Sequence, residues 1–247
     1  MNRISAENLT VRYPLMDRVK DKSIATEYDE KQVSWGKILL GDKPSILALD
    51  RITLSVNSGQ RLALIGKNGS GKTTLLRTLG RIITPNSGRL SMNGTVSGIF
   101  SLKQGLKPES SGRRNILIRG ILLGMSREEI KAKQDQIEKF SELGDYLDLP
   151  ISTYSSGMLI RLVFSVVVAF RPDIMLLDEW IGTADESFQS RVEKWLHEYS
   201  NSGGTFIIAS HSRSLVSKMC ESGILMKNGR IIYSGSTDDV LKKYSNI

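Results

Sequence analysis

The stretch Gly66-Lys67-Asn68-Gly69-Ser70-Gly71-Lys72-Thr73 matches the pattern G-x-x-x-x-G-K-[ST] in full. It follows the short apolar run 61–65, which reads as a buried strand, and it opens a helical stretch from Lys72 to about Leu79. That context is what a phosphate cradle needs. Glycines let consecutive backbone N–H groups turn inward as an anion nest, and the helix N-terminus adds its partial positive charge. Lys72 can reach the β- and γ-phosphates of a nucleotide, and the Thr73 hydroxyl can ligate Mg²⁺.

Strands and helices alternate outward from this loop. Residues 5–13 read as a strand, and 46–49 and 52–56 as two strand segments with Asp50-Arg51 between them. Residues 15–45 carry mixed charge without a sustained period and read as an inserted or extended loop. Residues 89–100 read as two strands about the hairpin dipeptide Asn93-Gly94. Residues 112–148 are helical in pattern, with a capping-box start at Ser126-Arg127-Glu128-Glu129. A helix over 156–170 stops at Arg171-Pro172. Strands at 174–177 and 205–209, a helix over 187–200, and two strands about Asn228-Gly229 with a closing helix complete the chain. The alternation predicts an α/β fold with a parallel sheet and extra antiparallel strands near the start.

Composition bounds the rest. The 247 residues are 40% hydrophobic and 24% charged, which excludes a chiefly disordered chain. The single cysteine excludes an internal disulfide framework or a cysteine-rich zinc site. The longest apolar stretch, 162–170, falls far short of the roughly 20 residues of a membrane helix. Met1-Asn2-Arg3-Ile4-Ser5 lacks the apolar core of a secretory signal, so the default location is cytosolic. The formal charge is +8, with seven basic residues against one acidic between Arg81 and Arg119. Such a stretch is either solvated surface or a contact for an anionic partner.

Three further segments carry candidate chemistry. The run Asp173-Ile174-Met175-Leu176-Leu177-Asp178-Glu179 is an apolar strand ending in two carboxylates. Neighbouring strand residues point to opposite faces, so Asp178 and Glu179 need not share a role. One can hold Mg²⁺ while the other addresses an attacking water. Tyr154-Ser155-Ser156-Gly157-Met158 starts a helix, and its serines read either as an ordinary N-cap or as a second phosphate site. His211 follows the 205–209 strand, where a lone histidine is more often structural than catalytic.

Taken in order, these segments resemble the ATP-binding-cassette (ABC) ATPases. Gly66–Thr74 resembles their Walker A. Tyr154–Met158 resembles a variant of the signature Leu-Ser-Gly-Gly-Gln, departing at Tyr154, Ser156 and Met158. Residues 174–179 resemble Walker B with its catalytic glutamate, Gly182-Thr183-Ala184-Asp185 the D-loop, and Ser210-His211 the switch histidine. Tyr154–Met158, Pro108-Glu109, Gly112-Arg113, Asn115, Leu122-Leu123-Gly124 and Phe140-Ser141-Glu142-Leu143 are similar, more narrowly, to bacterial exporters of O-antigen, capsule and teichoic acid. So is Tyr13-Pro14 followed by a long insertion. There are departures too. The family's Q-loop glutamine falls here on Leu102, with Gln104 two residues late, and Arg114 stands where a glutamate is usual.

The resemblance implies one ABC ATPase domain over 1–247, a P-loop NTPase fold. Residues 1–100 and 170–247 would form a RecA-like core with an antiparallel β subdomain and the 15–45 insertion. Residues 101–169 would form the Q-loop region and a helical subdomain. No C-terminal carbohydrate-binding domain is expected. ATP and Mg²⁺ are the implied cofactors. Tyr13 would stack on adenine, and Gly66, Lys67, Asn68, Gly69, Ser70, Gly71, Lys72, Thr73 and Thr74 would cradle phosphates. Thr73 and Asp178 would hold Mg²⁺. Ser155, Ser156, Gly157 and Asp185 would join the nucleotide contacts, the signature acting across a dimer of two copies. Glu179 and His211 would be catalytic. The expected partners are a second copy, a separate multi-span membrane permease and, through it, a lipid-linked glycan, at the cytoplasmic face of the bacterial inner membrane. The alternatives are the ATPase of an ABC transporter for another cargo and a soluble ABC ATPase acting on nucleic acid or ribosomes; nucleic acid is not the expected partner, since translation-type members carry two cassettes and repair-type members a long coiled coil, and this sequence shows neither.

Overall fold

The computed structural model describes residues 2–15, 32–33, 36–39, 44–100, 105–179 and 185–246. Leu102, Gln104 and residues 182–184 lie outside them, as does most of the 15–45 insertion.

Two sheets organise the described chain. The first is antiparallel, in the order β2-β3-β4-β1-β6, from β1 (Asn2–Pro14), β2 (Gln32–Val33), β3 (Gly36–Leu39), β4 (Ser45–Asn57) and β6 (Ser87–Met92). The second has the order β11-β10-β5-β9-β8-β7, from β5 (Arg61–Ile65), β7 (Val96–Ile99), β8 (Ile174–Asp178), β9 (Thr205–Ala209), β10 (Ser222–Lys227) and β11 (Arg230–Ser236). It is parallel except for β11, which runs antiparallel at the edge.

The strands of the second sheet are continuous apolar runs because both faces are covered. One face, with Ala63, Ile65, Met175, Leu177, Phe206 and Ile208, packs in a core with α5 (Ser156–Phe170) and α6 (Glu186–Asn201). The other face, with Leu62, Leu64, Leu176 and Ile207, packs with α1 (Lys72–Leu79) and the antiparallel sheet. A third core joins α2 (Gly112–Leu122), α3 (Arg127–Ala132), α4 (Gln134–Ser141) and one side of α5. Helix α7 (Arg213–Met219) and the closing helix α8 (Thr237–Ser245) complete the chain. No helix among the described residues is long and apolar enough to cross a membrane.

Three expectations change. The hairpin about Asn93-Gly94 does not form: β6 pairs with β1 in one sheet and β7 with β8 in the other. The Thr95 backbone N–H donates to Asp173 Oδ2 at 2.8 Å and the Ile174 N–H to the Thr95 carbonyl at 2.9 Å, which draws the chain across. Asp50-Arg51 does not break the strand; β4 runs through it, with Arg51 at φ +51 where the pairing with β1 shifts register. Part of the 15–45 segment is not loop either, since β2 and β3 extend the antiparallel sheet beside β4.

The crossing at Thr95 is also an ionic seam. Asp173 accepts from the Thr95 N–H and hydroxyl and pairs with Arg3 at 3.0 Å. The hydrogen bond from the Thr95 backbone, helped by the Thr95 hydroxyl and the Arg3 charge, holds the Asp173 carboxyl below the usual aspartate range. A depressed carboxyl adds stability that is complete above its unfolded pKa of about 4 and is lost as pH falls through the folded value. Asp173→Asn should therefore be less stable than the parent to urea at pH 7, and the gap between their midpoints should close as the pH is lowered from 5 towards 2.

A nucleotide cleft at the strand ends

The C-terminal ends of β5, β9 and β8 stand side by side, and the residues that follow them build one cleft. Leu64 pairs with Ala209, and Ala209 with Asp178, so the phosphate loop, His211 and the two carboxylates leave the sheet at one edge. This is where ligands bind in open α/β sheets.

The loop takes its shape from two glycines, Gly69 at φ +77 and Gly71 at φ +104. A Cβ on Gly71 would lie 2.9 Å from the Ala48 carbonyl oxygen, and one on Gly66 2.4 Å from that of Met226. The loop backbone is thus pressed between β4 and β10 with no room for side chains there. Helix α1 starts at Lys72 with no side chain capping it and no acid in its first turn. Its N–H groups and the positive end of its dipole remain available to an anion. Lys72 is buried, and its Nζ donates to the carbonyls of Gly66 at 2.7 Å and Lys67 at 3.2 Å. Burial pulls its pKa down, against the opposing pull of Glu179 and Asp178.

Asp178 ends β8 and accepts a hydrogen bond from the Thr73 hydroxyl. Burial raises its carboxyl above the usual range, and the charge of Glu179 adds to this, while Thr73, Arg77 and Lys72 work the other way. Glu179 leaves the strand at φ +47, a left-handed conformation of the kind held in place at functional sites, and its N–H donates to the Ala209 carbonyl at 2.9 Å. Its Oε1 lies 2.8 Å from His211 Nε2. The cleft, of about 710 Å³, runs from Tyr13 past Asn68–Thr74 to Asp178 and Glu179. Glu179 is shared with a neighbouring hollow of about 470 Å³ on whose wall His211 lies.

This donor set fits a nucleoside triphosphate with Mg²⁺. The glycine-shaped loop and uncapped helix suit phosphates, and a hydroxyl beside a carboxylate suits a hard cation that keeps several waters.

Residues 155–157 lie elsewhere. Ser155 caps α5, accepting from the Met158 N–H at 3.2 Å; Ser155 and Ser156 are exposed, no acid stands in the first turn, and none of the three lines the cleft. Asp185 caps α6. Its Oδ1 accepts from the Phe188 N–H and the Ser187 hydroxyl, and its Oδ2 from Arg161.

Comparison with known proteins decides the family. The ABC transporter family matches residues 49–182. The O-antigen export system ATP-binding protein RfbE of Yersinia enterocolitica is 40% identical over 96% of this chain and 99% of its own length. RfbB of Klebsiella pneumoniae, of the same description, is 35% identical over 98% and 96%. The chain belongs to the ABC transporter family. It also matches the teichoic acids export ATP-binding protein TagH of Lactococcus lactis, 33% identical, over 98% of this chain but only 50% of that longer protein. The fold is that of solved ATP-binding cassettes. One, a dimeric cassette in a post-hydrolysis state with ADP and Pi, has TM-score 0.74 at 19% identity over 95% and 98% of the two chains.

Within this cassette the cleft gathers Tyr13, Asn68–Thr74, Asp178 and Glu179, with His211 joined through Glu179. Gly66 and Lys67 form the base of the loop, and Lys67 lines a separate small pocket behind it. Sequence reasoning missed Ile46, Ala48, Arg77 and Phe100 on the cleft wall. Arg77 had a signal, since it stands four residues after Thr73 on the same helix face. Ile46 and Ala48 on β4 and Phe100 just after β7 had none, being apolar residues with no pattern of their own.

The signature's departure at Tyr154 is structural. Tyr154 is buried in the helical core and donates its hydroxyl to the Tyr146 carbonyl. A Cβ on Gly112 would lie 2.4 Å from that hydroxyl, so the glycine at the start of α2 and the tyrosine before α5 are matched. Gly112→Ala should cost about 1–3 kcal/mol by overpacking. Tyr154→Phe removes the obstructing oxygen, and the double variant should lose less stability than the two single losses added. Urea unfolding of the four proteins measures the coupling.

Proposed function

We propose that this chain is the ATP-hydrolysing subunit of an exporter that moves a lipid-linked polysaccharide of the O-antigen or capsule kind across the bacterial inner membrane. The observation that carries the ATPase half is the Glu179–His211 contact of 2.8 Å at the mouth of a phosphate cleft. The export half is supported by relatives named for O-antigen export that match over nearly their whole length.

Tyr13 stacks on adenine from the end of β1. The N–H groups of the 66–74 loop and the Lys72 ammonium, released from the loop carbonyls, take the β- and γ-phosphates. Thr73 and Asp178 would hold Mg²⁺, which would supply positive charge against the phosphates. Glu179 orients the attacking water and accepts its proton, and His211 fixes the Glu179 carboxylate and faces the γ-phosphate. A second copy supplies Ser155, Ser156 and Gly157 from the exposed, Ser155-capped start of its α5. Catalysis is positioning and charge stabilisation. The pair of cassettes works on a separate multi-span membrane protein from the cytoplasmic side.

Glu179→Gln should bind ATP as the parent does but hydrolyse it at least ~10²-fold more slowly. Equal rates would remove Glu179 from its role. The same variant, tagged and recovered with ATP from detergent-solubilised native membranes, should carry a multi-span membrane protein at equal stoichiometry by mass spectrometry. Recovery of ribosomes or nucleic acid in its place, or of no partner, would overturn the exporter reading.

A further inference from the structure

A cluster of side chains outside the cleft joins α4, α5 and α6. Arg161 lies on α5, six residues after the cap Ser155. Its guanidinium is mostly buried, and all three of its nitrogens donate hydrogen bonds. Nε and one terminal nitrogen donate to Asp185 Oδ2, at 3.3 and 2.7 Å, and the other terminal nitrogen donates to Glu142 Oε2 at 3.0 Å and the Ser141 carbonyl at 3.2 Å. Its flat face lies 4.9 Å from the centre of the Phe188 ring on α6. Glu142 ends α4 at φ +53 and is bonded from the other side by Arg191 of α6. Asp185 in turn caps α6, six residues after Glu179. One guanidinium therefore connects the end of α4, the middle of α5 and the cap of α6. Phe140-Ser141-Glu142-Leu143, which carried a narrow resemblance in the sequence, here supplies the anchor on α4.

We propose that Arg161 is a positioning residue that ties α5, whose start carries Ser155–Gly157, to the Asp185 cap of α6, so that the start of α5 keeps its placement relative to α6 within one subunit. The inference rests on the ATPase reading above. Arg161 does not line the nucleotide cleft. It acts through Asp185 and Glu142, and a planar fork holding two carboxylates at once suits arginine far better than lysine. Because Tyr13 and the 66–74 loop lie on other elements, removing the tie should leave nucleotide binding intact and spoil the geometry needed for turnover. A misplacement of about 1 Å can cost on the order of 10²-fold in rate.

The test uses two single variants of the full chain and their double. Arg161→Met keeps the long apolar stem against Phe188 and removes the fork. Asp185→Asn keeps the helix cap, which asparagine makes as well as aspartate, and removes the charge. Each should lower kcat for ATP between about 10- and 100-fold with KM and ATP-analogue binding nearly unchanged. The double variant should be no worse than the lower single, because both break one connection. Arg161→Lys should restore only a small part of kcat. Variants with parental kcat, or a double loss equal to the product of the single losses, would overturn the proposal. So would a rise in KM that accounts for the whole effect. Should Arg161→Met fail to fold, Asp185→Asn decides the question alone. A parent without ATPase activity overturns the ATPase reading and this inference with it, whereas an active parent with equally active variants overturns this inference only.

Discussion

The hydrogen-bonded register of β5, β9 and β8 is the constraint on which the site depends. Parallel pairing sets Leu64 beside Ala209 and Ala209 beside Asp178. A slip of one residue in either pair would turn the apolar side chains of a strand to the wrong core and carry Asp178 away from Thr73. Both faces of the sheet are buried, so such a slip would expose or misplace core residues on both sides. The burial that drives folding thereby also fixes where the carboxylates emerge. Precision at the cleft comes from the sheet, and the loops need only cover short distances from it.

The glycine loop is held by the same architecture. Met226 on β10 and Ala48 on β4 leave no space for a side chain at Gly66 and Gly71, and the Gly229 N–H donates to the Ser70 carbonyl at 3.0 Å. Arg230 bonds Asp50 across the two sheets beside this point. The loop is thus fixed from three sides before any nucleotide arrives. That spares part of the ordering entropy that binding would otherwise cost.

The parts legible in the sequence were those whose signal is local. The strand, loop and helix about 61–79 lie where the pattern put them, because glycines, a following lysine and an apolar run before them leave few alternatives. The Ser126 capping box forms as read, both of its hydrogen bonds being between residues three apart. The two Asn-Gly dipeptides show where local reading ends. Asn228 and Gly229 both take positive φ, +51 and +75, and turn β10 back on β11. At 93–94 only Gly94 does so, at φ +116, and the chain crosses between sheets. What separates them is Asp173, some eighty residues away, whose carboxylate takes the Thr95 N–H that a hairpin would need. The strand through Arg51 was hidden for a related reason. Its register shift is accommodated against β1, and nothing in the neighbouring residues announces it.

The candidate site was legible in its residue types and only partly in its geometry. A carboxylate pair after an apolar strand can be seen in sequence, but the left-handed turn at Glu179 that brings its side chain to His211 cannot. Asp185 is the sharper case. Its position in the D-loop pattern points to the nucleotide, while in the fold both its oxygens are engaged, one by the first turn of α6 and one by Arg161. An aspartate committed in this way can influence catalysis only through what it holds in place. Ser155–Gly157 show the complementary situation, an exposed helix start with no acid in its first turn, in a chain whose own phosphate loop lies elsewhere. In the proposed dimer such an exposed start would meet the phosphate loop of a second copy, and the Arg161 link inside each copy would then set the register of the two.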